Sequence, residues 1–369
     1  MMSNTTSYVN LVSKLSEEIP VVKKRGFDFI AKPIPDSDAI GELDPRVLGV
    51  TLQTAEKMAA MENQPFDPSD TMGFVKGMRA MFGWNNDDVT KSKVETTYKT
   101  IDGTNGPIPL RIYTPSNEGI LPAVVFIHGG GFIAGSVDVV ENPCKALAEK
   151  AGAVVISVDY RLAPEHPYPA GLTDCFESVT WVYEHAEEIR VNPQQIAISG
   201  DSAGGNLSTV CALMDRENGT EMIKFQALIY PSVNMAGVQT EDFNWSIDQY
   251  EIRNHAEIIT PLVTALGESS RGIFQIYLQN NAEITDPHVS PLLSDQLSGM
   301  PETLIITAEF DYLKVECEAY AAKLVRSGVP TKLIQYNGTD HAFMDKSGLY
   351  PQAEDLMNEI AKEIKRVFA

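Results

Sequence analysis

Ser202 stands in the run Gly200-Asp201-Ser202-Ala203-Gly204-Gly205, a Gly-x-Ser-x-Gly pattern that can present a serine hydroxyl as a nucleophile. Alone the pattern is weak, and a glycine-rich turn with an N-capping serine reads equally well. Its setting strengthens it, because apolar Ile196–Ser199 precedes it and a helix-forming stretch follows. A strand-to-helix turn this sharp strains the serine backbone, and glycines at 200 and 204 make room for it. A second run, His128-Gly129-Gly130-Gly131, follows the apolar segment Ala123–Ile127. Consecutive glycines let backbone N–H groups converge on one spot, as the developing oxyanion of acyl transfer requires. Gly130, Gly131 and Ala203 are the expected donors, with His128 and Gly129 shaping the loop. A phosphate cradle would need a Lys-Ser/Thr pair or a GxGxxG pattern, and neither is present.

A serine nucleophile needs a base, and the base needs an acid. In the order nucleophile, acid, histidine of an α/β hydrolase, only His255, His288 and His341 follow Ser202. His341 lies just past the segment Lys332–Gln335, where a strand ends and catalytic groups of open α/β sheets gather. His255 and His288 fall in or beside an irregular stretch and read as structural. The acid should end the preceding strand. Leu304–Thr307 runs into Ala308-Glu309-Phe310-Asp311, and spacing leaves Glu309 and Asp311 both open.

The elements that must position these groups are legible as eight short segments: Val94–Thr100, Leu110–Tyr113, Ala123–Ile127, Val154–Val158, Ile196–Ser199, Ala227–Tyr230, Leu304–Thr307 and Lys332–Gln335. Several are nearly continuous apolar runs, as expected for strands buried on both faces of a parallel sheet. Helical stretches near Cys144–Ala151, Cys175–His185, Leu207–Met214, Cys317–Val325 and Met357–Phe368 separate or follow them. This alternation predicts a right-handed, doubly wound α/β sheet, with the first two strands as an antiparallel start. The chain up to Asn86 reads as helical and loop-like. In it Phe74, Met78, Met81 and Phe82 recur at helical spacing, a face that either packs on the body of the protein or lines a pocket. Between Tyr230 and Leu304 the alternation fails over a stretch too long for a bare loop, which predicts an inserted helical element.

Composition excludes more than it assigns. The 369 residues include 43% hydrophobic, ample for a globular core. Lys and Arg total 29 against 50 Asp and Glu, a net charge of −21, which argues against nucleic acid and against a membrane surface as partners. No apolar run reaches the length of a membrane span. The cysteines Cys144, Cys175, Cys211 and Cys317 have neither metal-ligand spacing nor a disulfide framework and read as buried free thiols. The stretch MMSNTTSYVNLVSKLSEEIP lacks a signal-peptide core, so a cytoplasmic protein is expected. No metal or organic cofactor is expected, the partner is a small-molecule substrate, and a homodimer is left open.

Read jointly, His128-Gly129-Gly130-Gly131, Asp159-Tyr160-Arg161-Leu162-Ala163-Pro164-Glu165-His166-Pro167, the Gly200–Gly205 run, Asp286-Pro287 with Ser290-Pro291, and His341 resemble the hormone-sensitive-lipase-like esterases, the bacterial family IV carboxylesterases. The resemblance implies an α/β-hydrolase fold: a mostly parallel eight-stranded sheet flanked by helices, with a helical cap. It implies Ser202 as nucleophile, Asp311 as acid and His341 as base, acting on short-chain acyl esters through an acyl-enzyme. The expected division is 1–86 as an N-terminal helical segment contributing to the cap, 87–234 and 283–369 as the catalytic domain, and 235–282 as the cap insertion. Two positions depart from the family pattern: Tyr312 stands where proline is common after the acid, and Ala342 where glycine is common after the histidine. Neither removes a functional group. Asp159 and Arg161 are expected to form a buried ion pair. The same machinery would also serve an amidase, an arylformamidase or a small-molecule deacetylase. A ligand-binding receptor descended from a hydrolase is the remaining alternative, against which stands the presence of all three triad residues. A preference for uncharged over anionic esters is expected from the overall acidity.

Overall fold

The β-branched runs assemble into one ten-stranded sheet in the computed structural model, which describes residues 7–61 and 70–369, the side chains of 57–61 and 268 excepted. The strands are β1 (Val22–Lys24), β2 (Phe27–Lys32), β3 (Val94–Gly103), β4 (Gly106–Pro115), β5 (Leu121–Ile127), β6 (Val154–Val158), β7 (Val191–Asp201), β8 (Ile223–Ile229), β9 (Glu302–Phe310) and β10 (Thr331–Asp340). Their order across the sheet is β1-β2-β10-β9-β8-β7-β5-β6-β4-β3. The helices are α1 (Tyr8–Leu15), α2 (Pro45–Met61), α3 (Thr71–Met81), α4 (Glu141–Ala151), α5 (Ala170–Glu184), α6 (Ala203–Asn218), α7 (Ala256–Leu278), α8 (Lys314–Arg326) and α9 (Pro351–Val367).

From β5 to β10 every pairing is parallel except β6 with β4. Ala123–Ile127 of β5 and all of β6 are buried, because helices cover both faces of the sheet. Each such Val, Ile or Phe contributes about 1.5–3 kcal/mol by leaving water. The sheet reverses its winding at β5, which has β6 on one side and β7 on the other. A crevice opens at the carboxyl ends of strands at such a switch point. Ile127 of β5 pairs with Gly200 of β7, so the loops that follow these two strands emerge side by side.

The count of strands exceeds the expected eight. The N-terminal segment is not only helical, because β1 and β2 form an antiparallel hairpin and β2 adds to the sheet parallel to β10. Lys32 at the end of β2 is buried between Asp355 at 3.0 Å and Glu359 at 2.7 Å on α9. Within that segment 1–6 and 62–69 lie outside the described residues, and α1, α2 and α3 are its helices. Between β8 and β9 the regular alternation is interrupted, and that stretch carries the 23-residue α7. The expected Asp159–Arg161 pair does not form. Arg161 instead turns to Asp174 in α5, whose carboxylate takes the guanidinium at 2.6 and 2.8 Å and the Arg161 backbone N–H at 3.0 Å. One carboxylate thus satisfies three donors, which Asp159 beside it in the chain does not. All four cysteines are free and buried. Among the described residues no helix is long and apolar enough to cross a membrane.

Candidate active site

The nucleophile candidate sits where β7 gives way to α6. Ser202 has φ 54° and ψ −115°, a strained backbone for a side chain with a Cβ. The turn is locked by close packing: a Cβ on Gly204 would lie 2.0 Å from the Ile127 carbonyl oxygen, so only glycine lets α6 start this close to β5. Ser202 N–H donates to Ile229 O at 2.9 Å, tying the turn to β8.

Ser202 Oγ is 3.0 Å from His341 Nε2, and His341 Nδ1 is 2.7 Å from Asp311 Oδ2. The three residues arrive from the ends of β7, β9 and β10. The Leu313 N–H donates to Asp311 Oδ1 at 2.9 Å, fixing the carboxylate. Glu309, the other acid left open by spacing, points elsewhere and accepts the Gly338 N–H at 2.7 Å. His255 immediately precedes α7, and His288 Nε2 lies 2.9 Å from Glu217, both apart from this chain of contacts.

Burial disfavours the imidazolium of His341, but the charge and hydrogen bond of Asp311, with Asp201 and Asp340 behind it, outweigh that and hold its pKa above 6.5. The Tyr230 ring stands 4.9 Å from the imidazole.

The glycine loop lies beside Ser202. Gly130 has φ 127°, and a Cβ there would come within 2.0 Å of Ala134 O, so no other residue fits. Gly130 O accepts from Ala134 N at 2.9 Å, which turns the loop over. Gly130, Gly131 and Ala203 together line one cavity with Ser202 and His341. His128 is buried, its pKa pushed down to about 4 by burial, and Nδ1 faces Gly129 O at 2.8 Å. Its ring stacks on Tyr160 at 4.4 Å, and Tyr160 OH donates to His128 O at 2.9 Å. A neutral, enclosed ring of this kind shapes the loop.

Several contributors are invisible in the local patterns. Asp201 Oδ1 accepts the Gly129 N–H at 2.8 Å, so the residue before the nucleophile holds the glycine loop. Its carboxyl is pushed up to about 7 by burial, against that hydrogen bond. Asp201→Ala leaves a buried N–H unsatisfied and should cost about 1–3 kcal/mol with a drop in turnover, whereas Asp201→Asn keeps an acceptor and should lose less. Paired thermal melts and rates check this, and equal losses in both variants would contradict it. Tyr250, from the interrupted stretch between β8 and β9, donates its hydroxyl to Asp311 O at 2.8 Å. Met78 and Phe82 of the predicted apolar face line the cavity, joined by Leu266, Ile273 and Phe274 of α7, while Met81 is exposed. The cavity measures about 130 Å³ and is walled mostly by apolar groups. Among the described residues no group of three or more His, Cys, Asp or Glu is arranged to hold a metal ion.

A family profile described as the alpha/beta hydrolase fold matches residues 124–345. The chain is similar to an arylesterase of Saccharolobus solfataricus, 32% identical over 260 residues, covering 70% of this chain and 79% of that protein. It is also similar to the carboxylesterase NlhH of Mycobacterium tuberculosis, 35% identical over 264 residues, covering 70% and 78%. Among solved structures, an esterase of Pyrobaculum calidifontis superposes with a TM-score of 0.69 at 33% identity, covering 88% of this chain and 98% of that one.

Proposed function

Since this chain belongs to the hormone-sensitive-lipase-like, bacterial family IV carboxylesterases of the α/β-hydrolase superfamily and is a carboxylic ester hydrolase, we propose that Ser202, His341 and Asp311 are its catalytic triad. The observation that carries this reading is the unbroken contact chain from Ser202 Oγ through His341 to Asp311, opening into a cavity lined by Gly130, Gly131 and Ala203. His341 Nε2 takes the proton as Ser202 Oγ attacks the ester carbonyl. Asp311 holds the Nδ1–H tautomer and stabilises the imidazolium. The N–H groups of Gly130, Gly131 and Ala203 receive the oxyanion. His341 then protonates the departing alcohol, leaving an acyl group on Ser202. Water, activated by the same histidine, releases the acid.

The base works only when neutral, and its pKa lies above 6.5. Activity therefore rises with pH through that value and is lost below it. The acid limb of kcat/KM on a neutral ester should have its midpoint above 6.5, and a rate flat from about pH 5 to 8 would exclude His341 as base.

A cavity of about 130 Å³ is small beside the roughly 300–1,000 Å³ typical of pockets for drug-sized ligands, which supports short acyl chains. An acyl series from acetate to laurate tests this, with kcat/KM expected to peak at the short end. We assign α3 and α7 to a cap over the site. Arg79 of α3 supports it, donating to Ile133 O at 2.7 Å and Ala163 O at 3.0 Å and pairing with Glu165 at 2.7 Å. Arg79→Ala should raise KM about three- to tenfold with a smaller change in kcat, because exposed pairs are weak and the two carbonyl bonds are modest. An unchanged KM would detach α3 from the site. Four free, buried thiols fit a reducing compartment, which supports a cytoplasmic enzyme.

A further inference from the structure

A second, larger cavity of about 430 Å³ adjoins the catalytic one and shares Ser232, Ser270, Phe274 and Leu313 with it. The four shared residues place the two spaces side by side, with the second on the α7 side of Ser202. Their linings differ. The catalytic cavity is mostly apolar, whereas the second adds side-chain amides and a guanidinium.

Tyr312, next in the chain to Asp311, forms one wall. Its ring lies 5.1 Å from Trp245, and it packs against α7 at Gly267, where a Cβ would come within 2.2 Å of the ring. Arg271 stands one turn further along α7, close enough to Tyr312 for its charge to act on the phenol. Among the described side chains no carboxylate lies within ion-pair distance of Arg271. The acid that lines this cavity, Glu316, is buried at its base. There it accepts the Val233 N–H at 2.7 Å, and burial pushes its carboxyl up to about 8. The lining thus brings the Arg271 guanidinium to this space, while Glu316 is engaged by a backbone N–H and its pKa is raised by burial.

We propose that this chamber is a specificity subsite for the far end of the ester, and that Arg271 there binds a carboxylate carried by the substrate. The proposal rests on the esterase reading above and reverses, locally, the preference for uncharged esters suggested by the net charge of −21. Guanidinium forks suit carboxylates, and Tyr312 and Trp245 would cover the chain or ring that bears it.

Matched ester pairs test it in two arms. In the acyl arm, the 4-nitrophenyl monoester of glutaric acid is compared with 4-nitrophenyl pentanoate. In the alcohol arm, 4-acetoxybenzoate is compared with its methyl ester. In one arm the anionic-to-neutral ratio of kcat/KM should fall about three- to tenfold in Arg271→Gln, fall further in Arg271→Glu and be retained in large part by Arg271→Lys. Added salt should move the wild-type ratio toward that of Arg271→Gln. Ratios equal in wild type and Arg271→Gln in both arms overturn the proposal. Turnover of the neutral esters by the wild type reports on the esterase reading separately, so the two failures are distinguishable.

Discussion

Ser202→Ala should lower turnover of a neutral short-chain ester by about 10⁵- to 10⁶-fold, to the residue of catalysis that binding and oxyanion donors supply without a nucleophile. Each tenfold is about 1.4 kcal/mol of barrier, so the single hydroxyl is asked for about 7–8 kcal/mol. The size follows from the loss of a whole route: without Oγ there is no acyl-enzyme, and His341 has no positioned partner. The fold should not change with it. The Ser202 side chain contacts His341, whereas the turn is held by backbone bonds to Ile229 and Asn206 and by packing around Gly204. A thermal melt alongside the rate separates the two effects. A variant that melts normally and still turns over at a near-normal rate would remove Ser202 from the mechanism.

Asp311→Asn should cost about 10⁴-fold in kcat, although it changes neither shape nor volume. Asparagine can still accept the Leu313 N–H through its amide oxygen. Its amide nitrogen then faces His341 Nδ1 and favours the tautomer with the proton on Nε2. That nitrogen can no longer accept the proton of Ser202. The residual activity carries a second signature. The charge and hydrogen bond of Asp311 are what lift His341 against burial, so the acid limb of the variant should move to lower pH. Glu309→Gln is the comparison, since Glu309 serves Gly338 N–H and its amide oxygen keeps that bond. Its kcat should stay within about threefold of wild type. A loss in Glu309→Gln matching that of Asp311→Asn would reverse the assignment of the acid.

What was legible from the chain was what is local. Ser202 and the run His128–Gly131 announce themselves because each follows an apolar strand directly, and β5 and β7 are neighbours in the sheet. His341 is marked by its place directly after β10. The acid was not separable by spacing, because Glu309 and Asp311 lie two residues apart and the turn after β9 decides which carboxylate reaches the imidazole. The hairpin of β1 and β2 leaves no sequence signal because Lys23, Lys24 and Asp28 interrupt any apolar run. Its partner, β10, lies some three hundred residues away. Arg161 has acids on both sides in the sequence, and only the fold brings Asp174 closer than Asp159. Asp201 and Tyr250 give no local signal for the same reason: each acts through a hydrogen bond to a backbone group of another segment. For Met78 and Phe82 the helical period is plain, but not that they both pack against the core and line the cavity beside Ser202.

The central claim is that Ser202 is a nucleophile activated by His341 and Asp311, and covalent labelling with a fluorophosphonate tests it most directly. The intact protein should gain one phosphonyl group per chain, mapped to the peptide containing Ser202, with ester hydrolysis lost in proportion. Ser202→Ala should gain none. Labelling at another residue, or full hydrolytic activity in protein labelled completely at Ser202, would contradict the account.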